Sequence, residues 1–202
     1  MYIGRFVVIG RTQGGAWYLG YRVSSRSFPN RMIRIGVDRA AVLPTEDAAK
    51  SDNPYISYNC FRTYQDVGVV GNGSQVDPII DKIALGYPLR DAITTGLVAL
   101  DYERDAYNTP RIAAALRPSV GLSYLGFIGA DTVYSRRIVL APGQAWLAAT
   151  YECTDPTEIT LAGETPQELA DALYTCAYEQ PVAVLVAKWN EGSYQLAARS
   201  AR

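Results

Sequence analysis

Short runs in which apolar and polar residues alternate make up most of the first seventy positions, and glycine, proline, asparagine and aspartate separate the runs. Alternation of this kind is typical of strands that bury one face. The predicted strands cover residues 2–9, 16–23, 32–37, 40–43, 56–64 and 67–70. This part of the chain is therefore expected to be mostly sheet.

Two helices are predicted next. Asp77 is the expected cap of the first, Pro78 suits its first position and Gly86 its end. The second helix starts at about Pro88, because apolar residues then recur every three or four positions. They form one stripe, which consists of Leu89, Ala92, Ile93, Leu97 and Leu100.

The rest of the chain returns to strands with one more helix. Pro110 disfavours helix at the residue before it, and strands are expected over residues 111–116, 121–128, 133–140, 144–151, 182–189 and 193–198. The last helix has the clearest start, since Thr165 is a cap, Pro166 suits the first position and Glu168 completes a capping box.

This order of elements predicts an α+β fold in one domain, residues 1–202. Strands, paired helices, more strands, a helix and closing strands suit two mainly antiparallel sheets that pack together with helices outside, a four-layer α/β/β/α sandwich. Hydrophobic residues make up 49% and charged residues 19% of the chain, a balance that favours a packed core over disorder.

Charge and cysteine content exclude several classes of protein. A net charge of -1 gives no basic field for nucleic acid, although a few converging arginines are enough for a small anion. Apolar runs are too short to span a bilayer. Three widely spaced cysteines, Cys60, Cys153 and Cys176, suit reduced thiols in the cytoplasm. We therefore expect a cytoplasmic protein without a nucleic-acid or membrane partner.

The chain contains no histidine. This removes the usual Ser/His and Cys/His nucleophile pairs and the commonest transition-metal ligand. Any chemistry must use other groups, and no metal site is predicted.

The densest polar segment is YRVSSRSFPNR, residues 21–31, in which Arg22, Arg26 and Arg31 alternate with serines that include Ser27. Guanidinium groups present a fixed fork of donors and keep their charge, so this segment suits phosphate binding or polarisation of an oxygen. An ordinary polar edge strand followed by a proline turn explains the same pattern.

Two further segments are candidates for ligand binding. NPYISYNC, residues 53–60, offers Tyr58 and Asn59 for the edge of a heterocycle, while Cys60 is either a nucleophile, a pocket residue or a buried thiol. The turn formed by Asn72, Gly73 and Ser74 exposes N–H groups that suit an anion, but Asn-Gly is also a common turn.

Carboxylates cluster at the end of the second predicted helix, in DYERDAYNTPRIAA. The helix dipole disfavours negative charge there, so at least one of Asp101, Glu103 and Asp105 is a candidate for function. Solvated charge is the simpler explanation for any single one. Thr109 and Arg111 flank a proline and either enter the same cleft or start a strand.

Together, YIGRF, YRVSSRSFPNR, NPYISYNC, the GNGS turn and DYERD followed by NTPRIAA resemble the archaeal-type IMP cyclohydrolase family. The resemblance extends to about residue 115 and implies the N-terminal-nucleophile hydrolase-like fold. Tyr2 follows Met1, so removal of the methionine would not expose the serine, threonine or cysteine that hydrolases of this fold use.

The resemblance also implies the reaction. It is the cyclisation of 5-formamidoimidazole-4-carboxamide ribonucleotide (FAICAR) to IMP with loss of water, and it needs no cofactor because both reacting groups belong to one molecule. In this family pattern Glu103 removes a proton and Arg31 stabilises developing charge. Tyr58, Asn59 and the GNGS turn, with residues 72–74, line the base and ribose site, and Cys60 is a further substrate-binding candidate. Arg26 and Ser27 are candidates for the phosphate, with Arg22 and Arg111 as further ones.

Two rival functions remain open on the sequence. One is an amidohydrolase that acts through an internal residue such as Cys60, and the other is a purine-nucleotide-binding protein without catalysis. The sequence also leaves a homo-oligomer open, since its tyrosines and apolar strands are suited to an interface but no segment reads as a dimerisation motif.

Overall fold

The alternating segments build two antiparallel sheets. In the computed structural model, which describes residues 1–48 and 52–201, strands are numbered in chain order. The first sheet contains, in spatial order, β11 (Thr157–Ile159), β10 (Ala145–Ala149), β1 (Phe6–Arg11), β2 (Trp17–Ser24), β12 (Pro181–Asn190) and β13 (Ser193–Ser200). The second contains β3 (Arg31–Ile35), β4 (Arg39–Pro44), β5 (Tyr58–Tyr64), β6 (Val67–Gly71), β7 (Arg111–Arg117), β8 (Leu122–Ile128) and β9 (Val133–Arg137).

Three helices complete the α+β structure: α1 (Val76–Ala84), α2 (Leu89–Leu100) and α3 (Pro166–Thr175). A short 3-10 turn, Pro118–Val120, joins β7 to β8. None of the helices in the described part of the chain is long and apolar enough to cross a membrane.

Buried side chains form three separate clusters. One joins the facing sides of the two sheets, where Tyr21 of β2 and Phe61 of β5 belong to the same cluster. A second packs α1 and α2 on the other side of the second sheet, and a third packs α3 on the other side of the first sheet. This arrangement is compatible with the predicted sandwich.

All twelve predicted strands have a counterpart in the structure, with differences at their ends. Strand β1 begins at Phe6 rather than at residue 2, because Gly4 has a positive φ of 73° that breaks the extended chain. Strand β9 ends at Arg137 rather than at residue 140. Strand β11 escaped prediction because it has only three residues at an edge of the sheet.

The start of α1 was predicted wrongly. The cap position is Gln75 rather than Asp77, so Pro78 is the third residue of the helix. The Asp77 carboxylate instead accepts hydrogen bonds from Asn59 and Arg62. Proline is tolerated at this position because the first-turn N–H groups of a helix have no partner within it.

The other helix signals agree with the structure. Gly86 follows the end of α1 with φ 88°, and Thr165 and Glu168 form the predicted capping box of α3. The apolar stripe of α2 is buried except for Leu100, which is partly exposed at the helix end. That helix end leads into the loop of residues 101–110, which carries most of the acidic groups of the candidate site.

Candidate active site

A cavity of about 370 Å³ opens where five chain segments meet. They are the segment before β1, the segment after β2, the segment before β5, the loop after α2 and the segment after β10. The lining residues are Tyr2, Arg5, Ser24, Ser25, Arg26, Ser27, Phe28, Arg31, Asn53, Tyr55, Ile56, Glu103, Asp105, Tyr107, Thr109, Thr150, Tyr151 and Glu152. The volume falls in the range of small-molecule pockets, about 300–1,000 Å³.

A buried ion pair forms one wall of the cavity. Arg5 Nη1 lies 3.0 Å from Glu103 Oε1 and Arg5 Nη2 lies 2.6 Å from Glu103 Oε2, so the pair is bidentate. Burial lowers the pKa of Arg5, but the charge and hydrogen bonds of Glu103, together with the nearby Tyr58 and Tyr21, outweigh it and hold the pKa above its ordinary value. The guanidinium therefore stays charged and fixes the orientation of the carboxylate.

A second arginine lies behind Glu103. Arg111 Nη1 is 3.8 Å from Glu103 Oε1 and donates to the side-chain oxygen of Gln75. A Cβ added at Gly73 would lie 2.3 Å from Arg111 Nη1, so only glycine leaves room for this guanidinium. Burial lowers the pKa of Arg111, and the charge of Glu103 offsets part of that effect.

Asn72 connects the same turn to the ion pair. Its backbone oxygen accepts a hydrogen bond from Arg5 Nη1 at 3.0 Å, and its side chain bonds to Pro110 and Ile112. The turn of Asn72 and Gly73 thus supports Arg5 and Arg111 from behind. Ser74 of the same turn is exposed and lies outside the cavity lining.

The segment after β2 forms another wall. Arg31 is buried and its Nε donates to the Phe28 carbonyl at 3.0 Å, while its two Nη atoms make no hydrogen bond within the described residues. Ser24 Oγ is also buried without a hydrogen-bond partner in the described chain. Arg26 and Ser27 are exposed, and the Arg26 guanidinium lies 4.3 Å from the centre of the Tyr2 ring.

A chain of three polar side chains completes the site. Tyr151 Oη lies 2.8 Å from Thr109 Oγ1, which donates to Asp105 Oδ2 at 2.7 Å. Asp105 Oδ1 accepts from the backbone N–H groups of Tyr107 and Thr109. These bonds hold the loop after α2 in a fixed conformation beside Glu103, whose N–H donates to the Thr109 carbonyl.

Four of the residues that the family resemblance assigned to the site line the cavity: Arg26, Ser27, Arg31 and Glu103. Asp105 and Thr109, named as further candidates from the acidic segment, line it as well. Three more predicted residues lie directly behind them, namely Asn72, Gly73 and Arg111. Tyr58 is close to this group, since its hydroxyl bonds to the Tyr21 hydroxyl at 2.6 Å and both phenol groups interact with the Arg5 charge.

Arg22 does not reach the cavity. It is fully buried on the other side of the first sheet, where its guanidinium donates to the carbonyls of Leu173, Cys176 and Tyr178 near the end of α3. Its position on β2 explains this, because neighbouring Tyr21 faces the core between the sheets and successive side chains alternate in direction.

Asn59 and Cys60 also lie outside the lining. Asn59 Nδ2 donates to Asp77 of α1 at 2.9 Å, and Cys60 is buried in the core between the sheets, where its thiol donates to the Ala40 carbonyl. Burial raises the pKa of the Cys60 thiol well above its ordinary value. Such a thiol is poorly suited to act as a nucleophile.

Sequence reasoning missed several residues of the site, above all Arg5 and Tyr151. A usable signal existed for Arg5, because a single arginine within an apolar run requires a buried partner. It directly precedes β1, in which Val7 and Ile9 belong to the core between the sheets. Tyr151 carries no such signal, since it follows β10 in an irregular segment.

Within residues 1–48 and 52–201, no group of three or more cysteine, aspartate and glutamate side chains is arranged to hold a metal ion. The site offers a different set of groups. It combines one carboxylate clamped by guanidinium, one guanidinium whose Nη atoms make no hydrogen bond within the described residues, and several hydroxyls.

Comparison with known proteins gives a consistent result. A family model described as "IMP cyclohydrolase-like protein" matches residues 2–193. The chain is 42% identical to the IMP cyclohydrolase of Methanocella arvoryzae over 97% of this chain and 94% of the relative. It is 50% identical to that of Natronomonas pharaonis, with 90% of each chain covered, and 48% identical to that of Halobacterium salinarum, over 90% of this chain and 89% of the relative. The chain belongs to the IMP cyclohydrolase-like family.

Proposed function

We propose that this protein is an IMP cyclohydrolase that converts FAICAR to IMP, the final step of de novo purine synthesis. The observation that carries the proposal is the match along nearly the whole chain to relatives named IMP cyclohydrolase. The cavity supports it, because one pocket of suitable size contains both Arg31 and Glu103.

The reaction joins two groups of one substrate. The carboxamide nitrogen attacks the formyl carbon, a C–N bond forms, and the nitrogen loses a proton while the formyl oxygen gains one. The resulting hydroxyl then leaves as water with a further proton from the ring, which gives the closed pyrimidinone of IMP. The protein therefore has to select the reactive conformer, accept a proton and stabilise charge on oxygen.

Glu103 is our candidate for the group that accepts the proton from the carboxamide nitrogen. Both of its oxygens bond to Arg5, but a carboxylate oxygen has two acceptor positions, so each can receive one further donor. The clamp by Arg5 fixes the direction in which the remaining lone pairs point. In this scheme Arg5 and Arg111 are positioning residues for Glu103.

Arg31 is our candidate for stabilising the formyl oxygen. Its Nε is committed to the Phe28 carbonyl, which leaves the Nη donors for a ligand. A charged donor that is fixed before the reaction stabilises an oxygen whose negative charge grows in the transition state. The buried position of Arg31 strengthens this effect by excluding water.

The phosphate is proposed to lie at the segment of residues 24–27. Ser24 Oγ is a buried donor without a partner in the described chain, and Arg26 and Ser27 lie beside it at the exposed side of the cavity. Hydroxyls and a guanidinium are suitable phosphate ligands. Tyr58 and the turn of Asn72 and Gly73 support the base end of the site from behind.

Several broader features belong to the same proposal. The two sheets and three helices are proposed to form the four-layer N-terminal-nucleophile hydrolase-like fold, in a single domain. The three free cysteines are compatible with work in the reducing cytoplasm. Assembly into a homo-oligomer is proposed on the family resemblance alone.

The direct test adds purified protein to FAICAR and follows IMP formation by chromatography against the uncatalysed background. Ring closure that is proportional to enzyme concentration is expected. Stabilisation of the protein by IMP without ring closure would identify a nucleotide-binding protein that is not an enzyme.

A further inference from the structure

One wall of the cavity is formed by the loop after α2 and the segment after β10. It contains a chain of hydrogen bonds that all point in the same direction. It runs from Tyr151 Oη to Thr109 Oγ1 at 2.8 Å and from there to Asp105 Oδ2 at 2.7 Å. All three residues line the cavity, and Thr109 is only 2% exposed. None of them has a role in the proton transfers proposed above.

The direction of each bond follows from the chemistry of its ends. A carboxylate only accepts, so the single proton of the Thr109 hydroxyl goes to Asp105. Thr109 Oγ1 is then an acceptor toward Tyr151, and the Tyr151 proton points to Thr109. The lone pairs of Tyr151 Oη that remain are acceptors, and no proton of that hydroxyl is available to the cavity.

The charge on Asp105 keeps this direction fixed. Burial raises the pKa of Asp105, but hydrogen bonds from Thr109 and Tyr107 and the charge of Arg5 outweigh it and hold the pKa below its ordinary value. Asp105 is therefore ionised at neutral pH, where it cannot donate back to Thr109. The chain of bonds has one direction throughout the physiological range.

The acceptor is also fixed in space relative to Glu103. The Glu103 N–H donates to the Thr109 carbonyl at 2.8 Å, and the Tyr151 N–H donates to the Ile3 carbonyl at 3.1 Å, two residues before Arg5. Backbone hydrogen bonds thus connect the segments that carry Glu103 and Arg5 to Thr109 and Tyr151. These backbone bonds help to fix the position of Tyr151 relative to the ion pair.

We infer that Tyr151 binds a hydrogen-bond donor of the substrate, either a ribose hydroxyl or an amide N–H, and that Thr109 and Asp105 are positioning residues that set Tyr151 as an acceptor. The inference rests on the proposed function. It assigns to this wall a preference for donors over acceptors, which helps to distinguish nucleotides that differ only in the group presented there.

The experiment measures the affinity for IMP by calorimetry and the turnover of FAICAR in four variants. Tyr151→Phe removes the acceptor and keeps the ring, so about a tenfold loss of affinity or of kcat/KM is expected. Thr109→Val removes the middle of the chain and leaves Tyr151 free to turn, so a smaller loss of about threefold is expected. Thr109→Ser keeps the hydroxyl and should recover most of that loss.

Asp105→Asn separates direction from structure. Asp105 Oδ1 accepts two backbone N–H groups, so the amide oxygen takes that place and the amide nitrogen faces Thr109. The nitrogen donates, the Thr109 proton turns to Tyr151, and the Tyr151 proton turns into the cavity. This variant should therefore lose at least as much affinity as Tyr151→Phe, about tenfold, and more than Thr109→Val.

Matched controls are Tyr87→Phe and Asp131→Asn, which alter exposed side chains outside the cavity. Thermal unfolding of every variant separates loss of binding from loss of folding. If a ribose hydroxyl is the donor, the 2′-deoxy or 3′-deoxy form of IMP that lacks it binds Tyr151→Phe and the wild type equally well. If the donor is the reacting amide, the loss lies in kcat rather than in KM.

Either of those patterns supports the inference. Wild-type affinity and turnover in Tyr151→Phe overturn it, as does an Asp105→Asn variant that folds and binds IMP like the wild type. Failure of the proposed function is distinguishable, because it shows in the wild-type protein as an absence of IMP formation from FAICAR.

Discussion

Two buried arginines at the first sheet, one just before β1 and one within β2, have opposite surroundings. Arg5, just before β1, makes a bidentate pair with Glu103 beside the cavity. Arg22, on β2, donates mainly to backbone carbonyls under α3. The Glu103 charge raises the pKa of Arg5 in spite of burial, whereas burial lowers the pKa of Arg22.

The difference shows what each arginine does for the protein. A buried charge with neutral acceptors ties secondary-structure elements together, and Arg22 thereby joins β2 to the end of α3. A buried charge with a carboxylate partner fixes the direction of that carboxylate, which is what a site requires. Burial of an arginine alone therefore indicates nothing about function, while its partner does.

The largest effect is expected from Glu103→Gln, which makes the surroundings of Arg5 resemble those of Arg22. The variant keeps the shape of the side chain but removes its charge and its basicity. General-base catalysis contributes about 10²- to 10⁴-fold, so a fall in kcat of that order is expected with IMP formation as the measurement.

Glu191→Gln is the matched control, because Glu191 lies in the exposed turn between β12 and β13. Circular dichroism and thermal unfolding check that Glu103→Gln still folds. Near-wild-type turnover in a folded Glu103→Gln variant would contradict the role of Glu103 as the proton acceptor.

The second prediction exchanges Arg5 and Arg22, the two arginines of this comparison, for lysine. Arg5→Lys keeps the charge and loses the bidentate fork, so kcat/KM should fall about tenfold or more because Glu103 is no longer fixed. Arg22→Lys should lower the free energy of unfolding by about 1–3 kcal/mol and leave kcat per folded molecule unchanged. Urea unfolding and FAICAR kinetics on both variants provide the comparison.

One outcome would contradict the different roles of Arg5 and Arg22. If Arg22→Lys lowers kcat/KM as strongly as Arg5→Lys at temperatures where both are folded, then Arg22 acts on the substrate, and its position under α3 does not describe its role.

The third prediction concerns Arg31, whose Nη atoms make no hydrogen bond within residues 1–48 and 52–201. Arg31→Lys keeps a positive charge at the position proposed for the formyl oxygen but loses the planar fork and the bond to the Phe28 carbonyl. An intermediate loss of kcat, about tenfold, is expected. Arg34→Lys on the same strand is the control, because Arg34 is exposed. Unchanged kinetics in Arg31→Lys would indicate a structural role.

The sequence predicted the fold better than the site. Alternation and capping signals are local, so two-sheet content, the α3 capping box and the end of α1 followed from neighbouring residues. The site depends on which face of a strand is inside, and this is set by the pairing of distant strands. Arg22 was therefore expected in the pocket, while Arg5, on the core side of the sheet, was missed.

The hydrogen-bond partners of side chains could not be predicted from the sequence either. Asp77 was expected to cap α1, but in the structure it bonds to Arg62 and Asn59 of β5. The bond between Tyr151 and Thr109 joins residues 42 positions apart. The first contacts depend on how α1 packs on β5, and the second depends on how the segment after β10 packs on the loop after α2. No local pattern encodes either arrangement.

The smallest effect is expected at Cys60, which extends the comparison from arginines to thiols. Cys60 is buried between the sheets, whereas Cys176 is partly exposed and lies 2.9 Å from Arg22 Nη1. Cys60→Ala should retain wild-type kcat and lose about 1 kcal/mol of stability through the small cavity that it leaves.

Alkylation of the native protein should modify Cys153 and Cys176 before Cys60, because Cys60 is buried and the other two thiols are partly exposed. Rapid inactivation at Cys60, with protection by substrate and a trapped acyl-enzyme, would instead favour an amidohydrolase with a cysteine nucleophile.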